Sequence, residues 1–318
     1  MTEKILPYKI GGLLYMPAFQ KNIVEKLQRD ALPCLTSIAF CLEDSIQWNA
    51  LETAEKFLRK TFDELKILAD DKKKLPLIFI RVRSPQHLKS LNENFCDDFL
   101  TGYIFPKFDL TNAEYYLKVF YEINSQNKNK KFFMPILETE QIANILTRKS
   151  TLFELKNLLD DAKNFIPNIR VGVNDFCNLY GLRRDIRQTI YDIGIVRDTL
   201  TDILNVFAKD YVVAGSVWNF FNGKNSLWRE GLKRELELDK SNGFIGKSAI
   251  HPSQLPIIFE SLKVSRTDFN DAENLLNWSN ENLGVEKSSD GSRMNEVNCH
   301  RKWAEKIKIL SELYGIED

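Results

Sequence analysis

Acidic and basic residues stand one after another at the ends of short apolar runs: Glu43 with Asp44, Arg81 with Arg83, Lys107, Glu138, and Asn174 with Asp175. Carboxylates that converge from separate segments and leave positions open to water suit Mg²⁺ or Mn²⁺, hard ions that take oxygen ligands and keep exchangeable waters. Arginine adds a planar fork of donors that holds a carboxylate or a developing enolate oxygen. The pattern points to metal-assisted work on a small carboxylate, provided the fold brings these segments to one place. Pro17, Trp218 and His251 occupy equivalent positions. Trp218 reads either as an apolar wall for a substrate or as packing at a rim. His251, directly before Pro252, reads as a residue that starts a helix. For any one of these charges taken alone, the plain alternative is a strand end turning polar where it meets water.

Eight apolar runs would have to position them, over 12–16, 37–42, 77–82, 103–105, 132–137, 169–173, 212–217 and 244–250. Most are rich in Ile, Val and Phe with little polar alternation, as strands buried on both faces of a parallel sheet are. Stretches of helical periodicity separate them, among them 50–68, 113–124, 142–163, 186–209 and 227–239. Eight strands alternating with helices predict an α/β fold of the (β/α)8 TIM-barrel type, whose strand ends and following loops meet at one mouth. An open doubly wound sheet shares the pattern, but no Gly-x-Gly-x-x-Gly follows the first run. Helices are expected over 253–263 and 269–283, then a polar linker or mobile loop over 284–293. A last helix over 300–314 carries Trp303, Ile307, Ile309, Leu310 and Leu313, and should pack on its own barrel or on a neighbouring subunit. The expected division is a barrel over 1–265 and a C-terminal helical extension or lid over 266–318.

The 318 residues suffice for one large domain with a small appendage. Lys plus Arg equals Asp plus Glu at 44 each, so no global basic field exists to hold nucleic acid or an anionic membrane. The apolar stretch near the N-terminus, around 13–16, is too short for a signal segment or a membrane span, which leads us to expect a soluble, cytoplasmic protein. Cys34, Cys41, Cys96, Cys177 and Cys299 are scattered without a Cys-x-x-Cys, which argues against a disulfide framework or a zinc ribbon. Three histidines make a His-rich metal site a poor expectation.

Several segments occur in a telling order: Leu14-Tyr15-Met16-Pro17, Leu42-Glu43-Asp44-Ser45, Ile80-Arg81-Val82, Phe105-Pro106-Lys107, Pro135-Ile136-Leu137-Glu138-Thr139 and Ile250-His251-Pro252-Ser253-Gln254. The series resembles that of the citrate lyase β-subunit-like and malyl-CoA lyase-like proteins of the HpcH/HpaI aldolase superfamily, and covers nearly the whole barrel. That resemblance implies a metal-dependent carbon–carbon bond lyase, or its reverse, working through a metal-stabilised enolate. It places the metal ligands at Glu138 and Asp175, the enolate-stabilising arginine at Arg81, and the acids that order the metal's waters and hold that arginine at Glu43 and Asp44. Lys107 reads as pocket electrostatics or a barrel salt bridge.

The chain departs from the family's pattern in three places. Cys41 stands where the family usually has the first aspartate of Asp-Leu-Glu-Asp, and reads as a buried packing residue. The sixth-strand segment Val171-Gly172-Val173-Asn174-Asp175-Phe176 continues into Gly181-Leu182-Arg183-Arg184, which is similar instead to C–C bond lyase-like barrel proteins of bacterial tellurite- and stress-resistance gene clusters. Arg183 and Arg184 would there hold a second anion such as a phosphate, or simply face solvent or cap a carboxylate. In the tail, Asp290-Gly291-Ser292-Arg293-Met294-Asn295-Glu296 resembles the family's lid segment, with Glu296 in the place of an acid/base aspartate.

The expected partner is a small carboxylate metabolite, free or as a CoA ester or phosphorylated derivative, and the expected cofactor is Mg²⁺ or Mn²⁺. The resemblance also implies a homo-oligomer, trimeric or hexameric. A thioester hydrolase or phosphoenolpyruvate-type enzyme on the same site, and a non-catalytic ligand-binding barrel, stand as alternatives.

Overall fold

Each apolar run becomes a strand whose two faces are both buried. The computed structural model describes residues 4–223 and 226–317. Its eight parallel strands are β1 (Gly12–Pro17), β2 (Ser37–Cys41), β3 (Leu77–Arg81), β4 (Leu100–Phe105), β5 (Phe132–Leu137), β6 (Ile169–Val171), β7 (Val213–Ala214) and β8 (Lys247–Ala249). They pair in the order β7-β6-β5-β4-β3-β2-β1-β8. A parallel bridge between Gly215 and Lys247 closes the ring. The fold is thus the TIM barrel that the alternating runs predict.

The two-residue period of the strands sorts their side chains. Ile38, Phe40, Ile78, Ile80, Phe105 and Phe133 point outward into the sheath shared with the surrounding helices. Leu13, Ala39, Phe79, Ile104, Met134 and Ile136 point inward and, with Ile10, plug the interior. This separation into an outer and an inner apolar layer leaves the upper ends of the strands free to carry polar groups.

Helical detail differs from expectation where local capping decides. The 142–163 stretch is two helices, Glu140–Ala143 and Arg148–Asp160, parted by an extended Asn144 that leaves Ile145 and Leu146 exposed. A helix over Pro85–Asn94 was not anticipated; the Ser84 side chain accepts from the His87 N–H and Pro85 occupies the first turn, a pairing that starts helices.

The tail departs most. Instead of a mobile linker, Val285–Lys287 and Met294–Glu296 pair as an antiparallel hairpin. Arg293 fastens it through Nη2 to Asp271 at 2.9 Å, and Ser289 N–H donates to the fully buried Asp271 at 2.7 Å. The closing helix Val297–Tyr314 does pack on its own barrel, but at the end where the strands begin: the Tyr314 hydroxyl donates to Tyr8 O at 2.6 Å, and Ile316–Glu317 pairs with Val264–Ser265. Among the described residues no helix is long and apolar enough to cross a membrane.

A buried charged cluster ties the start of β8 to the surrounding helices. Lys247 Nζ sits 3.0 Å from Glu235 and 2.6 Å from Asp239, on the helix Leu227–Asn242, and Arg184 binds the same Glu235. Glu235 and Lys247 are wholly shielded from solvent.

Candidate active site

At the mouth the residues that close successive strands converge. Arg81 ends β3 beside Cys41 at the end of β2, and Glu138 directly follows β5. Asp175 falls in the first turn of the short helix Val173–Leu179 after β6. Asp44, Arg81, Glu138 and Asp175 line a cavity of about 330 Å³, whose walls include Tyr15, Cys41, Arg170 and Gly172. That volume is at the small end for ligand sites and suits a metabolite of few atoms.

Arg81 is the hub. Its Nη2 lies 2.8 Å from Glu43 and 3.2 Å from Glu138, and its Nη1 lies 3.0 Å from Asp44. Lys107 Nζ completes the ring, 2.5 Å from Glu43, 3.2 Å from Asp44 and 4.0 Å from Asp175. The Lys107 backbone is left-handed, with φ 48°, which is uncommon for a residue with a side chain. That turn sends the Lys107 N–H to Glu138 Oε1 at 2.9 Å, and Asn112 holds it by donating to Lys107 O at 2.8 Å. Local strain of this kind persists where the surroundings fix it, commonly at functional sites.

Burial sets the protonation pattern. It pushes the Glu138 carboxyl up to about 8, against the pull of Arg81 and with a further push from Asp175. It also raises Glu43, despite Arg81 and Lys107. Asp44 is exposed; partial desolvation raises it, but Arg81, a hydrogen bond with Glu43 and Lys107 outweigh this and hold it below its usual value. Burial opposes the charge on Lys107, and Glu43 and Asp44 more than restore it. The adjacent carboxyls are thus driven in opposite directions, Glu43 up and Asp44 down.

The donor set fits Mg²⁺. Glu138 and Asp175 repel one another, both offer oxygen, and a cation between them would relieve the repulsion. Among the described residues no group of three or more His, Cys, Asp or Glu is placed to hold a metal ion, so the candidate ligands are this pair alone. Gly172 makes the room: a Cβ there would stand 2.0 Å from Glu138 Oε2 and 2.5 Å from Glu138 Cβ. Gly172→Ala is therefore expected to displace the carboxylate and weaken Mg²⁺ binding roughly ten- to a hundredfold. Calorimetric titration reads this directly, and an unchanged affinity would refute the role given to Gly172.

Other residues singled out in the sequence lie elsewhere. Trp218 has no exposed surface and donates Nε1–H to Trp228 O at 3.0 Å, so it is packing and not a substrate wall. Arg184 is spent on Glu235, Val217 O and Asn219, and Arg183 is exposed beside a separate depression. Neither arginine lines the mouth cavity. Glu296 ends the tail hairpin, where its N–H is taken by His300 Nδ1 at 2.9 Å, and it does not line its own chain's mouth. The His251 side chain caps the turn Pro252–Gln254, and Gln254 clamps the loop after β7 by donating to Trp218 O at 2.8 Å.

Sequence reasoning missed Arg170, Tyr15 and Ser248, which line the cavity. The available signal was an arginine flanked by Ile169 and Val171 in a barrel strand, where alternation turns it inward.

A family model described as C–C bond lyase of the TIM-barrel fold matches residues 4–316. No curated protein matches the sequence. Among solved structures, a citrate lyase from Burkholderia xenovorans LB400 superposes with a TM-score of 0.71 at 14% identity, over 96% of this chain and 93% of the other. Protein CitE from Mycobacterium tuberculosis, in complex with magnesium, acetoacetate and coenzyme A, gives 0.62 at 16% identity, over 95% and 98%. The citrate lyase β subunit of the same organism, with oxaloacetate and magnesium, gives 0.51 at 17% identity, over 80% and 98%.

Proposed function

Because the chain belongs to the C–C bond lyase family of the TIM-barrel fold, we propose that it cleaves or forms a carbon–carbon bond in a small oxo- or hydroxycarboxylate with the help of Mg²⁺ or Mn²⁺. The observation that carries this reading is Arg81 bound at once to Glu43 and Glu138, with Asp175 across the same cavity. Glu138 and Asp175 would hold the ion, which when bound supplies positive charge to offset that of a developing oxyanion. Arg81 keeps its buried Nε without a protein partner, a donor left for the substrate's enolate oxygen. In the cleavage direction a base takes the proton of the substrate hydroxyl, the carbon–carbon bond breaks and its electron pair passes to the enolate oxygen. Glu43 returns a proton to carbon, and Lys107 keeps Glu43 and Asp44 oriented.

The size of the cavity favours a free metabolite, or the acyl end of a larger ester, as the part that reacts. Glu296 would serve as acid or base only across an interface of a homo-oligomer. The test is a calorimetric titration of Mg²⁺ and Mn²⁺, with and without oxaloacetate, glyoxylate or pyruvate, into the wild type and Asp175→Asn. Cation-dependent binding of an oxo-acid that vanishes in the variant is the expected result; no cation binding by the wild type would overturn the reading.

A further inference from the structure

Four arginines are buried among the described residues: Arg81, Arg148, Arg170 and Arg184. Arg81, Arg148 and Arg184 each meet at least one carboxylate within 4.0 Å. Arg170 meets none among the described residues, although it is only 1% exposed. Its guanidinium donates to Ser248 Oγ at 2.6 Å and to Asn168 Oδ1 at 3.3 Å, and stands over the Tyr15 ring at 5.7 Å. Its Nε is buried with no hydrogen-bond partner. An unpaired cation away from water is costly, and a fold retains it where something else supplies the opposite charge. The mouth cavity reaches both Arg170 and Ser248, on the same lining that carries Glu138 and Asp175.

We propose that Arg170, with Ser248, binds a second anionic group of the substrate at the floor of this cavity, so that the molecule taken is a short dianion and not a monocarboxylate. The anion is a carboxylate or a phosphate, both of which match the planar donor fork. The inference rests on the mouth cavity being the substrate site, but not on the cation. A dianion placed this way spans the cavity: one end lies on the carboxylate-and-arginine cluster at the rim and the other on Arg170 below it. Chain length is then selected by the gap between the two.

The test has two arms on the intact protein. In EDTA, malonate and inorganic phosphate are titrated into the wild type, Arg170→Met and Arg170→Lys, with melting temperature and calorimetry as readouts. With Mg²⁺, pyruvate is compared with oxaloacetate and phosphoenolpyruvate. Binding of either anion in EDTA that weakens roughly ten- to a hundredfold in Arg170→Met, and partly returns in Arg170→Lys, is expected. Whichever of malonate and phosphate binds more tightly identifies the group. With Mg²⁺, the dianions should bind more tightly than pyruvate, and that preference should disappear in Arg170→Met while pyruvate binding stays unchanged. Anion affinity equal in wild type and Arg170→Met would overturn the proposal, as would an Arg170→Met protein that melts far below the wild type, since Arg170 would then be barrel packing. Retained anion binding in EDTA without any effect of Mg²⁺ would overturn the cation reading and leave this one standing.

Discussion

Glu138→Gln is expected to abolish cation binding and yet to raise the melting temperature of the cation-free protein at pH 8. The folded chain keeps the Glu138 proton up to about 8, whereas the ordinary value is 4.5. Between those limits the folded state binds more protons than the unfolded one, so stability falls as pH rises through that window and is unaffected below it. The shift corresponds to at most about 5 kcal/mol at its upper end. Glutamine keeps an oxygen for the Arg81 and Lys107 donors without the charge that burial and Asp175 oppose. Thermal melts in EDTA should therefore converge for the two proteins near pH 4.5 and separate toward pH 8, with Mg²⁺ stabilising only the wild type. A variant less stable than the wild type at pH 8 would show that the attraction of Arg81 outweighs the cost of burial. The same proton must leave when a cation binds, so apparent affinity should climb with pH up to about 8.

Glu235→Gln should be the most destabilising single change outside the mouth. Glu235 neutralises Arg184 and Lys247 together and accepts the Ile190 N–H at 2.8 Å, with no exposure of its own. Without its charge, two buried cations are left with Asp239, which Tyr191 already engages at 2.7 Å. Breaking a buried ion pair in this way costs about 3–5 kcal/mol, and for a chain of this size the melting temperature should drop by roughly 10 °C. Glu52→Gln, at the exposed pair with Lys56, is the control and should melt with the wild type. A drop no larger than that of the control would mean that water or rearrangement compensates the cluster.

The strands were legible because a barrel buries both faces of each, and runs such as 77–82 and 132–137 carry that signature without help from neighbours. The mouth was legible for the same reason: Glu43, Arg81, Lys107 and Glu138 stand where apolar runs end, and the fold brings such ends together. What failed was direction. Arg184 and Trp218 sit close in sequence to mouth residues but turn outward against the helix Leu227–Asn242, and spacing alone does not encode that turn. Arg170 hid inside the run 169–173, whose other four residues, Ile169, Val171, Gly172 and Val173, carry no polar side chain. The tail hairpin depends on Arg293 reaching Asp268 and Asp271 more than twenty residues earlier, a tertiary contact with no local trace.

The ring of strands is uneven, five or six residues long from β1 to β5 but only two or three from β6 to β8. Short ladders open more readily than long ones, so amide hydrogens on the thin arc should exchange by local opening while those of the thick arc wait for global unfolding. Glu138 closes the last long strand and Asp175 follows the first short one. A cation shared between them would act as a rivet across that seam, slowing exchange in β6 through β8 far from any atom it touches.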